Sequence, residues 1–466
     1  MKNLTEIKAT PLASALSMLA GAAIISAPTP ALSQGLVLEE VIVTAQKRTE
    51  SLQDVPISVA AMSGEKISDT GILSLEELTL YVPNVNINSG AGTPNLFIRG
   101  IGSGTNAGFE QSVGMYIDGI YSGRGALAAV PITMDLERVE ILKGPQGILF
   151  GKNTIAGAIN ITTNKPTDEF EGSIEGLWDF DHGEQQYNAM LSGPLTDKLS
   201  GRLAVRYDAM DGWWDNEFLG TEGPDLDNWY ARGSLRWDAT DTLELLFKYE
   251  YGDFTRDARP TVIYQSDFAG QENYAGTVPF PVISDRDEGA GDVDDNLNTR
   301  TDVFALTVNW DVDFATFTSI TALSEYDQKR IQNADTAATP SINRTLWEDY
   351  EQFSQELRLV SPGNETFDWI AGVYYQKTEL DISRSNDALD TLLSGPFSGA
   401  FALALTQPVP VGTFEQEGDS WAIFGQGTWN ATDVLRFTLG VRYNEETKDL
   451  DKITRNTRLA ARVAPA

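Results

Sequence analysis

From about residue 170 onward, apolar and polar residues alternate with a period of two. In residues 435–443 one face is Leu435, Phe437, Leu439, Val441 and Tyr443, and the other is Arg436, Thr438, Gly440 and Arg442. Residues 229–237 split in the same way, with Trp229, Leu235 and Trp237 opposite Tyr230, Arg232 and Arg236. Residues 243–251 carry Glu244, Lys248 and Glu250 on their polar side. This period belongs to strands, whose successive side chains point to opposite faces. About eleven such segments start near residues 173, 187, 199, 229, 243, 302, 314, 352, 367, 420 and 434.

The connections alternate in length. Short turns fall at 194–198, 238–242, 311–313, 361–366 and 430–433, and long polar loops near 211–228, 256–301, 327–351 and 381–419. That asymmetry is typical of outer-membrane barrels, with short periplasmic turns and long extracellular loops. Trp237, Trp310 and Trp429 each stand directly before a short turn. Strand propensity explains their presence, but a common depth at one lipid interface also explains their common position. The expected fold is an all-β membrane barrel over 167–466, its apolar face toward lipid. Eleven is an odd count, whereas single-chain bacterial barrels are even. No closing amphipathic strand precedes Ala466, so the expectation is a barrel about half present, in a fragment or a truncated product.

Upstream, Lys2 and Lys8 precede a small-residue apolar stretch from about 12 to 27, then Ala31 and Ser33 at cleavage-site spacing. This predicts a secretory signal over 1–33. Nothing later supplies the roughly 18 consecutive apolar residues of a membrane helix. Composition narrows the function. The 466 residues hold 34 Lys+Arg against 67 Asp+Glu, a net charge of -33, with one His and no Cys. The acidic excess opposes nucleic-acid binding, which needs a basic surface. Disulfides, thiolate metal sites and cysteine nucleophiles are excluded. His182 alone makes a serine–histidine triad or a multi-histidine metal centre nearly impossible, and the chain is not expected to be an enzyme.

Residues 50–166 follow another pattern: a short amphipathic helix over 74–81, stopped before Pro83, among strands at 57–60, 96–99, 114–120, 139–142 and 158–162. This predicts a compact α+β unit, and a globular unit before a large barrel suggests a plugged lumen. Six motifs occur here in order: Leu38-Glu-Glu-Val-Ile-Val-Thr-Ala-Gln-Lys-Arg48, Asn95-Leu-Phe-Ile-Arg-Gly-Ile101, Val113-Gly-Met-Tyr-Ile-Asp-Gly119, Glu137-Arg-Val-Glu-Ile-Leu-Lys-Gly-Pro-Gln-Gly147, Leu149-Phe-Gly-Lys-Asn-Thr154 and Gly157-Ala-Ile-Asn-Ile-Thr162. Together they resemble TonB-dependent outer-membrane receptors, strongly over 36–166 and more loosely to 445.

The resemblance implies a barrel of about 22 strands around a plug and import of a scarce nutrient driven by TonB. It places a TonB-contact segment at Glu39, Glu40, Val41, Ile42, Val43, Thr44 and Ala45, within a linker over 34–49. An extended β-branched segment suits strand addition; a first plug strand or a linker is the plainer reading. It further implies that Arg99 and the cation at Lys143 pair with barrel glutamates, Glu356 among them. Lysine at 143 keeps the charge and loses the planar fork of arginine; plug-surface charge is the alternative for both. A ferric siderophore is the expected cargo, carried rather than held as a cofactor. Cobalamin, haem and oligosaccharides stay open as cargo, and a passive porin, an adhesin or a non-functional product stay open as other classes. No ligand-contact residue is identifiable. Outer-membrane lipid and lipopolysaccharide are expected surroundings.

Other signals fail on their spacing. The run from Gly147 to Asn153 lacks one spacer and the Ser/Thr of a phosphate loop. Gly100 to Gly104 lacks dinucleotide spacing. Residues 285–302, with Asp292, Asp294 and Asp295, lack the Gly and Glu positions of a calcium loop, leaving a solvated loop or weak cation binding against lipopolysaccharide. His182 reads as a solvated loop residue.

Overall fold

The computed structural model describes residues 42–457 apart from 45, 54, 73, 89–94, 104–109, 125–132, 181–182, 217–218, 258–287, 290–293, 334–342, 364–365, 387–408 and 433. The signal segment, His182 and Asp292 lie outside the described residues. No helix among the described residues is long and apolar enough to cross a membrane.

A five-stranded sheet organises the plug, in the order Ser58–Ser63, Leu136–Lys143, Gly157–Thr163, Val113–Ile117, Ile120–Ser122. Its two central strands are buried along most of their length, so they read as apolar runs rather than alternating ones. The stretch expected as one strand over 114–120 is instead a hairpin. Asp118 and Gly119 adopt φ values of 51° and 83°, which reverse the chain. The expected helix is Leu75–Leu78, continued by a 3-10 turn at Thr79–Tyr81, with Ser74 accepting a bond from the Glu77 N–H. A helix at Gly64–Asp69, capped by Ser63, is too short for its periodicity to show in sequence. Val85–Asn88, Asn95–Ile98 and Ile101–Gly102 form a separate three-stranded sheet.

Around this unit runs an eleven-stranded sheet of antiparallel neighbours, from Glu171–Trp178 to Leu435–Thr457. Trp237, Trp310 and Trp429 are 49%, 49% and 51% exposed, and the residue after each makes the same bond. Asp238 donates to the Lys198 carbonyl, Asp311 to that of Thr242 and Asn430 to that of Thr366, at 2.9, 2.8 and 3.0 Å. The three indoles therefore occupy one level of the wall, as an interfacial girdle requires.

The wall differs from expectation in strand length. Strands begin at Asn296, Asn343 and Val409, well before the expected 302, 352 and 420. Val409–Thr432 alone has 24 residues, whereas crossing a bilayer takes about 9–11. The upper ends were expected as loops because their polarity is inverted. Tyr326, Tyr350, Leu380 and Ile382 form a buried inward cluster there, while carboxylates face outward. Cross-strand register aligns Asp302, Glu325, Glu351, Glu379, Glu417 and Asp449 in one row. Asp327, Asp349, Asp381, Glu415 and Asp451 make a second. Directly opposed like charges destabilise a sheet, so these rows mark where the wall leaves lipid for water and ions. Glu351→Lys, in mid-row, should raise the melting temperature of detergent-solubilised protein at low ionic strength, with a gain that shrinks as salt screens it.

Candidate functional site

The segment at 42–48 is docked. Ile42–Val43 pairs antiparallel with Glu50–Ser51, and the reversal between them is set by Lys47 at φ 56°, whose N–H donates to the Thr44 carbonyl. Val43 is fully buried. The Thr44 N–H and Oγ1 donate to Glu140 Oε1 at 2.7 and 3.1 Å. Glu140, on a central plug strand, is itself fully buried. It accepts from Arg138 Nε at 2.8 Å and Asn160 Nδ2 at 3.2 Å, which satisfies a charge that would otherwise be costly to bury.

The next two residues fasten this hairpin to the wall. Lys47 Nζ donates to both Glu356 oxygens at 2.7 and 2.6 Å, and Arg358 reaches the same carboxylate at 2.9 Å. Arg48 Nη2 donates to Ser361 Oγ at 2.9 Å and the Trp369 carbonyl at 2.6 Å, with Asp368 at 3.6 Å. Burial pushes Lys47 down from 10.5 to about 8, against the raising pull of Glu356. Desolvation thus outweighs the ion pair, so the latch closes on a charge it does not hold comfortably.

Elsewhere on the plug, contacts run with both polarities. Arg202 clasps Asp135 at 2.6 and 2.8 Å. Burial alone would raise Asp135, but its bonds from Arg202 and Asn164 win and hold it below the usual carboxylate range. Lys248 Nζ meets Asp118 at 2.6 Å, and Arg232 donates to the Met134 carbonyl at 3.0 Å. In the opposite sense, plug Arg124 meets wall Glu348 at 2.7 and 3.0 Å.

Of the expected site residues, Ile42, Val43 and Thr44 lie in this hairpin, while Glu39, Glu40, Val41 and Ala45 fall outside the described residues. The expected pairing of Arg99 and Lys143 with Glu356 is corrected: Lys47 and Arg358 take that carboxylate. Arg99, at φ 53°, is exposed in the turn between two strands of the three-stranded sheet, whose Val85 and Ile98 pack in one core. Glu356 faces the other, which holds Val43, Phe150 and Phe424. Lys143 Nζ donates to the Pro83 carbonyl at 2.8 Å; burial and then the Arg99 charge lower its pKa. Sequence reasoning missed Lys47, Arg48, Glu140, Arg124, Asp118 and Asp135. The adjacent cations at 47 and 48, directly after an extended apolar segment, were the one available signal.

Two family patterns match the chain: "TonB-dependent Receptor Plug Domain" over residues 51–158 and "TonB dependent receptor-like, beta-barrel" over 245–463. The chain belongs to the TonB-dependent receptor family of the bacterial outer membrane. It is 26% identical over 414 residues to the pesticin receptor of Yersinia pestis, covering 87% of this chain and 55% of that protein. The vitamin B12 transporter of Vibrio vulnificus is 31% identical over 182 residues, 38% of this chain and 28% of that one. The chain thus spans about half the length of this first curated relative, the pesticin receptor. Among solved structures, the ferric yersiniabactin uptake receptor from Yersinia pestis aligns with a TM-score of 0.69 at 22% identity, over 85% of this chain and 61% of that one. The ferripyoverdine receptor of Pseudomonas aeruginosa aligns at 0.64 and 15%, over 90% and 56%. Both share the fold.

Two variants separate the partners in the latch of this receptor. Glu356→Gln leaves Lys47 and Arg358 facing each other without a countercharge, a loss of about 3–5 kcal/mol for a buried pair. Lys47→Met leaves Glu356 with Arg358 and should cost less. Hydrogen exchange at 42–52 should therefore rise more in the first variant than in the second. Between pH 8 and 10.5 the docked segment binds fewer protons at Lys47 than the released one, so docking tightens as pH rises through that window. A spin label at Thr49→Cys, exposed in the same hairpin, should lose mobility over this range, and Lys47→Met should abolish that dependence.

Proposed function

We propose that the protein is a receptor and transporter, not an enzyme, that takes up a ferric siderophore or similar iron chelate across the outer membrane with energy from TonB. The supporting observation is the latch: a segment suited to strand addition is held at Val43, Thr44, Lys47 and Arg48. It needs release before a partner strand can pair with it. Among the described residues its own ladder to Glu50–Ser51 has two residue pairs, so little backbone pairing competes with that partner. The iron-chelate cargo is supported by relatives named for ferripyoverdine and ferrioxamine B. Cobalamin is the second reading, on the vitamin B12 transporter relative.

Cargo binding must favour the released state if it is to signal at all, since a ligand shifts an equilibrium only by its differential affinity. TonB would then grip 39–45 and pull the hairpin off Glu140 and Glu356. The iron chelate is cargo and no resident cofactor is invoked. Lipid and lipopolysaccharide surround the wall, and nucleic acid has no part. Cells carrying the protein, given radiolabelled ferric hydroxamates, catecholates and phenolates, should accumulate one class. Deleting residues 39–45 should abolish accumulation and leave surface binding of that chelate intact. Accumulation that survives the deletion refutes the energised mechanism.

A further inference from the structure

We infer that three packed rings inside the plug, Tyr121, Tyr116 and Phe150, couple the plug strand Ile120–Ser122 to the Lys47 latch. The inference rests on the reading that release of 42–48 is the signal for uptake.

Both ends of this path are seated on one wall strand, Asn343–Val360. At the first end, Arg124 holds Glu348 at 2.7 Å, and the Tyr326 hydroxyl bonds to the same carboxylate. Gln352 Nε2 donates to the Tyr121 carbonyl at 2.7 Å. Gly123 approaches the wall so closely that a Cβ there would overlap the Tyr350 hydroxyl. At the second end, Glu356 holds Lys47. Glu348, Tyr350, Gln352 and Glu356 are all buried and share the strand's inward face, as even-numbered positions must. From 348 to 356 the strand advances about 26 Å. It is a fixed reference against which either end of the plug can move.

Between the two seats the plug is packed ring on ring. Tyr121 and Tyr116 have centroids 5.4 Å apart, and Tyr116 meets Phe150 edge-on at 4.9 Å. The Tyr116 hydroxyl donates to the Phe150 carbonyl at 2.7 Å. Lys47 Nζ lies 5.9 Å from the Phe150 centroid, and Val43 belongs to the same buried core as all three rings. A close-packed interior cannot absorb the shift of one ring by compression. If Tyr121 leaves its seat, Tyr116 must follow or open a void, and Phe150 then loses either its ring contact or its hydrogen-bond donor. The cation at Lys47 responds because its charge rests on that ring and on Glu356. Cargo that draws Arg124 away from Glu348 would thereby loosen the hairpin at the other end.

The test needs neither cargo nor TonB. It reads backbone hydrogen exchange at 43–51 and amine labelling of Lys47, on the full chain in detergent. Arg124→Gln should raise both about threefold or more, within the span seen for residues on coupling networks. Tyr116→Leu severs the path, so adding Arg124→Gln to it should produce no further increase. Tyr116→Phe keeps the rings in contact and should preserve most of the response. Phe150→Leu replaces Tyr116→Leu if the latter does not fold. Arg202→Gln breaks a plug–wall pair outside this core and should leave exchange at 43–51 unchanged. No response to Arg124→Gln, or additive responses in the double variant, overturns the coupling and leaves the uptake reading standing. Accumulation that survives deletion of 39–45 with the coupling intact would do the reverse.

Discussion

Glu356 is a carboxylate sealed between wall and plug, and the choice of its countercharge governs how the N-terminal segment is held. A buried charge without a partner costs several kcal/mol, so some cation has to be brought to it. Arg358, two residues along the same strand, supplies one. Lys47 supplies the other, and in doing so ties a hairpin near the start of the described chain to a strand more than three hundred positions later. The Thr44 bonds to Glu140, the burial of Val43 and the Arg48 contacts at the Ser361 turn all follow from that placement. Burial pulls Lys47 down toward neutrality while Glu356 keeps it charged. The tie is therefore specific in geometry and modest in net strength, as a releasable contact should be.

The wall is governed by a second constraint, that every backbone group at membrane depth must be paired within the sheet. The antiparallel strands between Glu171–Trp178 and Leu435–Thr457 meet it by pairing on both sides, and their outward faces are then free to change character with height. Aromatic residues stand near the short turns, aliphatic ones above them and aromatic ones again at Phe304, Tyr375, Trp421 and Tyr443, while carboxylates begin where the strand has run about the thickness of the hydrocarbon layer. The opposed rows around Glu351 cost stability and keep the upper wall out of lipid. Below them the inward face is polar and meets plug charges; beside them it is apolar, and Tyr326, Tyr350, Leu380 and Ile382 pack on one another.

Much of this was legible in the alternation of residues. All eleven wall strands were visible from period two, and the girdle from the place of Trp237, Trp310 and Trp429 before short turns. The upper strand ends were illegible because Glu and Asp outnumber apolar residues there, and polar density resembles a loop when only composition is weighed. In the plug, motifs carried what periodicity could not, since strands buried on both faces do not alternate. The site was read in part. Glu356 stood out within its motif, but its partner did not, because no local pattern reports a contact across 309 positions. The family's pairing pointed to Arg99 and Lys143, and the two separate plug cores explain why those cations lie elsewhere.

The polarity of the plug–wall contacts has a mechanical consequence. Wall cations hold plug anions at Asp118 and Asp135, and both anions border the central sheet: Asp118 accepts bonds from Thr163 at the end of its middle strand. Plug cations hold wall anions at Lys47 and Arg124, and both lie on chain segments that leave the sheet. Pulling from the N-terminus therefore loads the Lys47 pair first, one latch at a time, while the clasps on Asp118 and Asp135 are loaded only through the sheet's own ladder. The central sheet can stay seated while the N-terminal hairpin comes away, and that ordering is set by which partner in each ion pair belongs to the movable segment.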